Sequence, residues 1–115
     1  MDKEVIIKYG DNYSENSFWD KIKNYAKEAG REIVKDALTL FYAIPNASPE
    51  EKAIIIGALG YFILPVDLIP DFIYVAGFTD DAAWLTFSLK EAKNAVTPEV
   101  IAKAKHTVIK WFQID

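Results

Sequence analysis

Residues 53–85 read AIIIGALGYFILPVDLIPDFIYVAGFTDDAAWL, and this stretch decides the fold. It begins with an apolar run to Leu64, passes through Pro65 and Pro70, and contains four aspartates and no other charged residue. An apolar run without a polar face predicts a helix that is either buried on all sides or held in a membrane. We therefore expect the chain to be arranged around a central apolar helix over residues 50–64.

The start of this helix is marked by Ser48-Pro49-Glu50-Glu51. A serine N-cap followed three residues later by glutamate is a capping box, and proline is favoured at the first helical position. Pro65 ends the helix because it cannot continue the hydrogen-bond ladder. Within the helix, Gly57 and Gly60 leave two flat spots where another helix could approach closely.

Three further helices are predicted from apolar residues spaced three and four apart. One covers residues 17–44, is capped by Ser17 with Asp20, and has a possible kink at Gly30. A second runs from residue 82 to about 95 and is capped by the Thr79-Asp80-Asp81 run. The last follows Thr97-Pro98-Glu99 and carries its polar residues on the outside: Lys103, Lys105, His106 and Lys110.

These elements predict an all-α fold, a small bundle of four main helices plus a short helical turn over residues 71–76. Residues 17–115 are expected to form a single helical domain. In residues 1–16, the apolar residues from Val5 to Tyr9 could form a short extended segment, but it has no strand partner, so we expect a weakly ordered arm that packs loosely on that domain or is disordered.

Composition excludes several classes of function. The 115 residues contain no cysteine, which excludes a thiolate nucleophile and a Cys-ligated zinc site. The net charge of −4 argues against nucleic-acid binding. No motif indicates a cofactor, and the N-terminus lacks the sustained apolar region of a secretory signal. His106 is the only histidine, with no nucleophile–base set around it, so we expect no enzyme.

The four aspartates Asp67, Asp71, Asp80 and Asp81 are the one candidate polar site. Crowded carboxylates suit a hard divalent cation such as Ca²⁺ or Mg²⁺, or a basic group of a partner. Each position is also one where an aspartate caps a helix or a turn, and capping is the favoured interpretation. The spacing matches no known calcium loop.

Membrane association is the competing interpretation of the apolar stretch. Residues 53–64 span about 18 Å at ~1.5 Å per residue, against a hydrocarbon core of ~30 Å, so they cannot cross alone. A re-entrant hairpin remains compatible with the pattern. In that arrangement Tyr61, Trp84 and Trp111 would lie at the interface, and the lysines of the last helix would meet anionic headgroups.

The central stretch resembles the YkvA-like family, small bacterial proteins and domains of unknown function. The residues that carry this resemblance, over residues 53–90, are Pro65, Asp67, Leu68, Ile69, Pro70, Asp71, Gly77, Phe78, Asp80 and Asp81. The resemblance implies a non-catalytic helical module, often membrane-associated, on the cytoplasmic side of the inner membrane. Two hypotheses follow: an interaction module at or near that membrane, binding lipid or an unknown protein partner, or a soluble domain that binds a cation or a basic group.

Overall fold

The described residues of the computed structural model, 3–29, 31–63 and 81–111, are built from helices and contain no strand. The six α-helices of this part of the chain are α1 (Lys3–Ile7), α2 (Glu15–Ala29), α3 (Arg31–Ala43), α4 (Pro49–Ile63), α5 (Asp81–Glu91) and α6 (Pro98–Trp111). Short 3₁₀ segments cover Lys8–Asn12, Ile44–Asn46 and Lys93–Ala95. The all-α prediction is confirmed. The helix count differs, and the turn predicted over 71–76 lies outside the described residues.

The single helix predicted over residues 17–44 is described as two helices, α2 and α3, and Gly30 between them lies outside the described residues. The N-cap is also different from the prediction, because Ser14 rather than Ser17 caps α2. The Ser17 amide donates to Ser14 Oγ at 3.1 Å, and the Phe18 amide donates to the Ser14 carbonyl at 2.9 Å.

The central helix α4 has the predicted start. The Glu51 amide donates to Ser48 Oγ at 3.2 Å, and the Ser48 amide donates to Glu51 Oε1 at 2.9 Å. This reciprocal capping box confirms the prediction for this helix. Burial on nearly every side is confirmed too, by these residues: Ile54, Ile55, Gly57, Ala58, Leu59, Gly60, Tyr61 and Phe62.

The N-terminal segment packs against α4 more closely than the predicted loose arm would. Ile6 and Tyr9 are buried in the core, and residues 3–12 are helical. Gly57 and Gly60 are the reason, since a Cβ at Gly57 would overlap the Ile6 carbonyl and a Cβ at Gly60 would overlap the Tyr9 carbonyl. The two flat spots are therefore used, as predicted for α4, but by the segment that the sequence pattern left unassigned.

An aromatic cluster joins α4 to α5. The rings of Tyr61 and Trp84 stack with centroids 3.9 Å apart, and Tyr9 meets both rings edge-on. Trp84 and Tyr61 are buried, so they are core residues and not the interfacial anchors of a membrane hairpin. Within the described ranges, no helix combines the length and the apolar character needed to cross a bilayer.

Helix α6 packs mainly on α3 instead of on the central helix. Its inner face consists of Val100, Ala104 and Val108. The Thr97 hydroxyl caps its start by accepting a hydrogen bond from the Val100 amide at 3.2 Å, as the Thr-Pro-Glu signal predicted. This arrangement leaves one side of α6 and the neighbouring edge of α3 facing outward.

Candidate functional site

Three of the four predicted site residues, Asp67, Asp71 and Asp80, lie outside the described residues. Asp81 is the first residue of α5, and its side chain also falls outside the description. The cation-site hypothesis and the capping hypothesis for these aspartates therefore both stay predictions. Among the described residues, no group of three His, Asp or Glu side chains is placed to share a metal ion.

The exposed surface of α6 is the feature that most departs from an ordinary helix surface. Four large apolar side chains of the described residues are well exposed, and three of them belong to α6. Ile109 is 69% exposed, Ile101 is 39% exposed and Trp111 is 38% exposed, while Ile7 of α1 is the fourth. Trp111 is partly covered, because its ring stacks on Trp19 with centroids 6.3 Å apart.

Ile101, Lys105 and Ile109 follow one another at intervals of four residues, so they form a single ridge along α6. An exposed lysine thus stands between two exposed isoleucines. His106 lies on the same outward side, as the sequence pattern predicted. A ridge of alternating apolar and cationic side chains is complementary to a surface whose outer layer is anionic and whose interior is apolar.

A groove of about 240 Å³ runs beside this ridge, between α3 and α6. Its walls carry three cations, Arg31, Lys35 and Lys105, and one carboxylate, Glu32. Val108 and Ile109 provide its apolar part. Lys35 and Glu32 form an ion pair at 3.2 Å, and the Lys105 ammonium is paired with no described carboxylate. We call this groove and the Ile101–Lys105–Ile109 ridge the basic edge.

Asp36 lies next to Lys35 on α3 and is half-buried. Burial raises the pKa of its carboxyl above the ordinary value, Lys35 opposes this increase, and the charge of Glu32 adds to it. The raised pKa means that burial disfavours the charged form of this carboxyl in the folded protein.

Residues 51–87 match the model of a protein family, DUF1232, described as a protein of unknown function. We call residues 51–87 the DUF1232 segment, after the family that they are similar to. It comprises most of α4, the first part of α5 and the residues between them. This match confirms that the central stretch is similar to a family of unknown function, consistent with the YkvA-like resemblance, while the Pro-x-Asp-Leu-Ile-Pro-Asp signature itself stays a prediction. No curated protein and no solved structure gives a significant match.

The described part of the DUF1232 segment and the basic edge occupy different places in the molecule. The former supplies the core through α4 and the Tyr61–Trp84 stack, and the latter is built from α3 and α6, outside the matched residues. The sequence pattern predicted that the lysines of α6 face outward, but it did not single out Arg31 and Lys35. Their four-residue spacing places them on one side of α3, and their position beside Lys105 follows from the packing of α6 on α3.

Proposed function

We propose that this protein is a non-enzymatic helical module that binds the anionic surface of a bacterial inner membrane, on its cytoplasmic side, through the basic edge. The observation that carries the proposal is the exposure of Ile109 directly beside Lys105 and the cationic groove. The non-enzymatic part rests on the sequence, which has a single histidine and no cysteine. The membrane part also agrees with what the family resemblance implies.

The expected strength of binding follows from the groups available. The exposed portions of Ile101 and Ile109 together amount to about one isoleucine side chain, worth about 2 kcal/mol when buried. The exposed ammonium of Lys105 near an anionic leaflet adds about 1 kcal/mol. A total of about 3 kcal/mol corresponds to a Kd of about 6 mM in accessible lipid, which is weak and reversible. Salt should weaken this binding, because part of it is electrostatic.

The overall charge of −4 opposes approach to an anionic surface in most orientations. The basic edge can approach because the exposed Lys105 carries a positive charge beside the exposed Ile101 and Ile109. Long lysine side chains allow the ammonium groups to stay at headgroup level while the isoleucines enter the acyl boundary. Association should therefore occur with one preferred orientation, with α6 lying in the plane of the interface.

Vesicle co-sedimentation tests this proposal. The protein should sediment with phosphatidylglycerol-rich vesicles at low salt and remain in the supernatant with pure phosphatidylcholine vesicles. Ile109→Ser should reduce the bound fraction at least about threefold, because Ile109 supplies the larger part of the exposed apolar surface. Ile7→Ser is the matched control, since it removes an exposed isoleucine from α1, away from the basic edge, and should leave binding unchanged.

Charge is tested in the same assay with Lys105→Gln and its control Lys90→Gln, an exposed lysine of α5. The first should weaken binding about fivefold and the second should not, given about 1 kcal/mol for each surface cation that contacts the leaflet. Equal binding of the Ile109 and Ile7 variants would contradict the use of α6. Failure of the parent protein to bind anionic vesicles would remove the membrane proposal and favour a protein partner.

A further inference from the structure

A second cleft lies on the other flank of α6 and is larger than the groove of the basic edge. Its volume is about 450 Å³, within the range of small-molecule sites. Segments from four parts of the chain form it: the start of α2 with Tyr13 just before it, the end of α3 with the 3₁₀ turn after it, α4, and α6. The residues that line it are Tyr13, Glu15, Phe41, Tyr42, Ile44, Pro45, Lys52, Ile56 and Lys103.

The side chains that line this cleft are mostly apolar, and three of them are aromatic. Phe41, Tyr42 and Tyr13 present rings, and Ile44 and Ile56 provide aliphatic surface. All five side chains are half-buried, so they are held by neighbours and still reach the cleft. Flat apolar walls of this kind favour a ring-shaped ligand, because offset and edge-on ring contacts add to the burial of apolar area.

Tyr42 is fixed in position by its hydrogen bond. The Thr107 hydroxyl donates to the Lys103 carbonyl at 3.1 Å, so the phenol of Tyr42 is the donor in its contact with Thr107 Oγ1 at 2.9 Å. The Lys103 ammonium lies over the Tyr42 ring, 4.8 Å from its centroid. One wall and one cation of the cleft are therefore organised before any ligand arrives, which reduces the entropy cost of binding.

The charges at the cleft favour an anion. Two lysines, Lys52 and Lys103, face one carboxylate, Glu15. No described carboxylate forms an ion pair with either ammonium. Burial and the nearby charge of Glu15 raise the pKa of Tyr13 to about 12, so its phenol stays neutral and can donate a hydrogen bond at physiological pH.

We propose that this cleft binds a small aromatic monocarboxylate. The ring would lie against Phe41 and Tyr42, and the carboxylate would be held by Lys52 and Lys103 at the rim. A cationic ligand of the same shape would meet two ammonium groups, and a neutral one would lose both charge-assisted contacts. Lys103 and Lys105 lie on opposite flanks of α6, because two residues at positions i and i+2 project from nearly opposite sides of an α-helix. The cleft is therefore a site separate from the basic edge.

Cinnamate is a suitable probe, with cinnamamide as the neutral analogue and cinnamylamine as the cationic one. Binding to the full chain is followed by nuclear magnetic resonance of the backbone amides. We expect a Kd of a few millimolar for cinnamate, as is usual for ligands of this size, weaker binding of cinnamamide and none of cinnamylamine. The shifted amides should be those of Tyr13, Phe41, Tyr42, Ile56 and Lys103.

Substitutions at the rim should change the cinnamate affinity in opposite directions. Lys52→Gln and Lys103→Gln should each weaken it about two- to fivefold, and Glu15→Gln should strengthen it about twofold, as expected for exposed charge pairs. Lys90→Gln, on a helix that does not line the cleft, is the matched control and should have no effect. Equal affinities for cinnamate and cinnamamide, or lysine variants that bind like the Lys90 control, would overturn the proposal.

The outcome is independent of the membrane proposal, because the two assays use different ligands and different residues. Cinnamate binding without vesicle binding would support this site and reject the membrane proposal. Vesicle binding without cinnamate binding would support the membrane proposal and reject this site. Amide shifts confined to the groove of Arg31, Lys35 and Lys105 would place the anion at the basic edge and overturn the cleft as the binding site.

Discussion

Helices α4 and α6 begin with the same kind of capping signal but differ in how far they are buried. Each follows a hydroxyl residue that caps its first turn, and each has proline as its first residue and a glutamate close behind. Yet eight residues of α4 are buried, and only three of α6 are. The cap determines where a helix begins, whereas the distribution of apolar residues around it determines how many sides must be covered.

The difference extends to function. Most of the described DUF1232 residues of α4 serve the core, and only Lys52 and Ile56 at the edge of this helix line the proposed cleft. Helix α6 covers α3 with one narrow stripe and exposes isoleucines among lysines on another side. The two proposed binding regions are the basic edge and the cleft lined by Phe41 and Tyr42, and both include residues of α6.

The largest expected effect comes from comparing a tryptophan of the core with one of α6. Trp84→Ala should lower the free energy of unfolding by about 3–5 kcal/mol, because it leaves a cavity beside the Tyr61 and Tyr9 rings. Trp111→Ala should cost only about 1 kcal/mol, since Trp111 is 38% exposed and loses mainly its stack on Trp19. Urea denaturation monitored by circular dichroism measures both values. Similar losses would contradict the distinction between a buried centre and an open α6.

A second, smaller effect tests how the N-terminal segment is held on α4. Gly57→Ala should destabilise the protein by about 2 kcal/mol, because the new Cβ overlaps the Ile6 backbone and this cost exceeds the gain of ~1 kcal/mol in helix propensity. Gly10→Ala is the matched control, since its Cβ would stand 3.4 Å from the nearest atom, Ile56 Cγ2. That change should stay below about 0.5 kcal/mol. An alanine at Gly57 that stabilises the protein would mean that residues 3–12 do not pack on α4.

Features encoded within a few neighbouring residues were predictable, and features that depend on distant contacts were not. The Ser48 capping box, the start of α6 at Pro98 and the burial of α4 all follow from short patterns. The close approach of Tyr9 to Gly60 requires two segments fifty residues apart to meet, and nothing in residues 1–16 alone indicates it.

The candidate sites show the same division. The outward lysines of α6 were visible from periodicity, but the groove with Arg31 and Lys35 needed the packing of α6 on α3. The cleft could not be predicted, because its lining comes from four separate parts of the chain. The aspartate site rests on sequence alone, since its residues fall outside the described backbone or side chains.

The smallest expected effect concerns the N-caps of α4 and α6. Ser48 both accepts from the Glu51 amide and donates its own amide to Glu51 Oε1, so Ser48→Ala breaks one bond of a reciprocal pair and should cost about 1 kcal/mol. At the equivalent position after Thr97 stands Val100, which has no carboxylate to return the bond, so Thr97→Ala should cost about 0.5 kcal/mol.

The double variant Ser48→Ala with Glu51→Ala separates the pair from its parts. If the two bonds support each other, the combined loss measured by urea denaturation should be smaller than the sum of the single losses, because each single substitution already loosens the other bond. Strict additivity would mean that the Ser48 and Glu51 bonds act independently. In that case the two helix starts would differ only in the number of bonds, and the distinction between α4 and α6 would rest on burial alone.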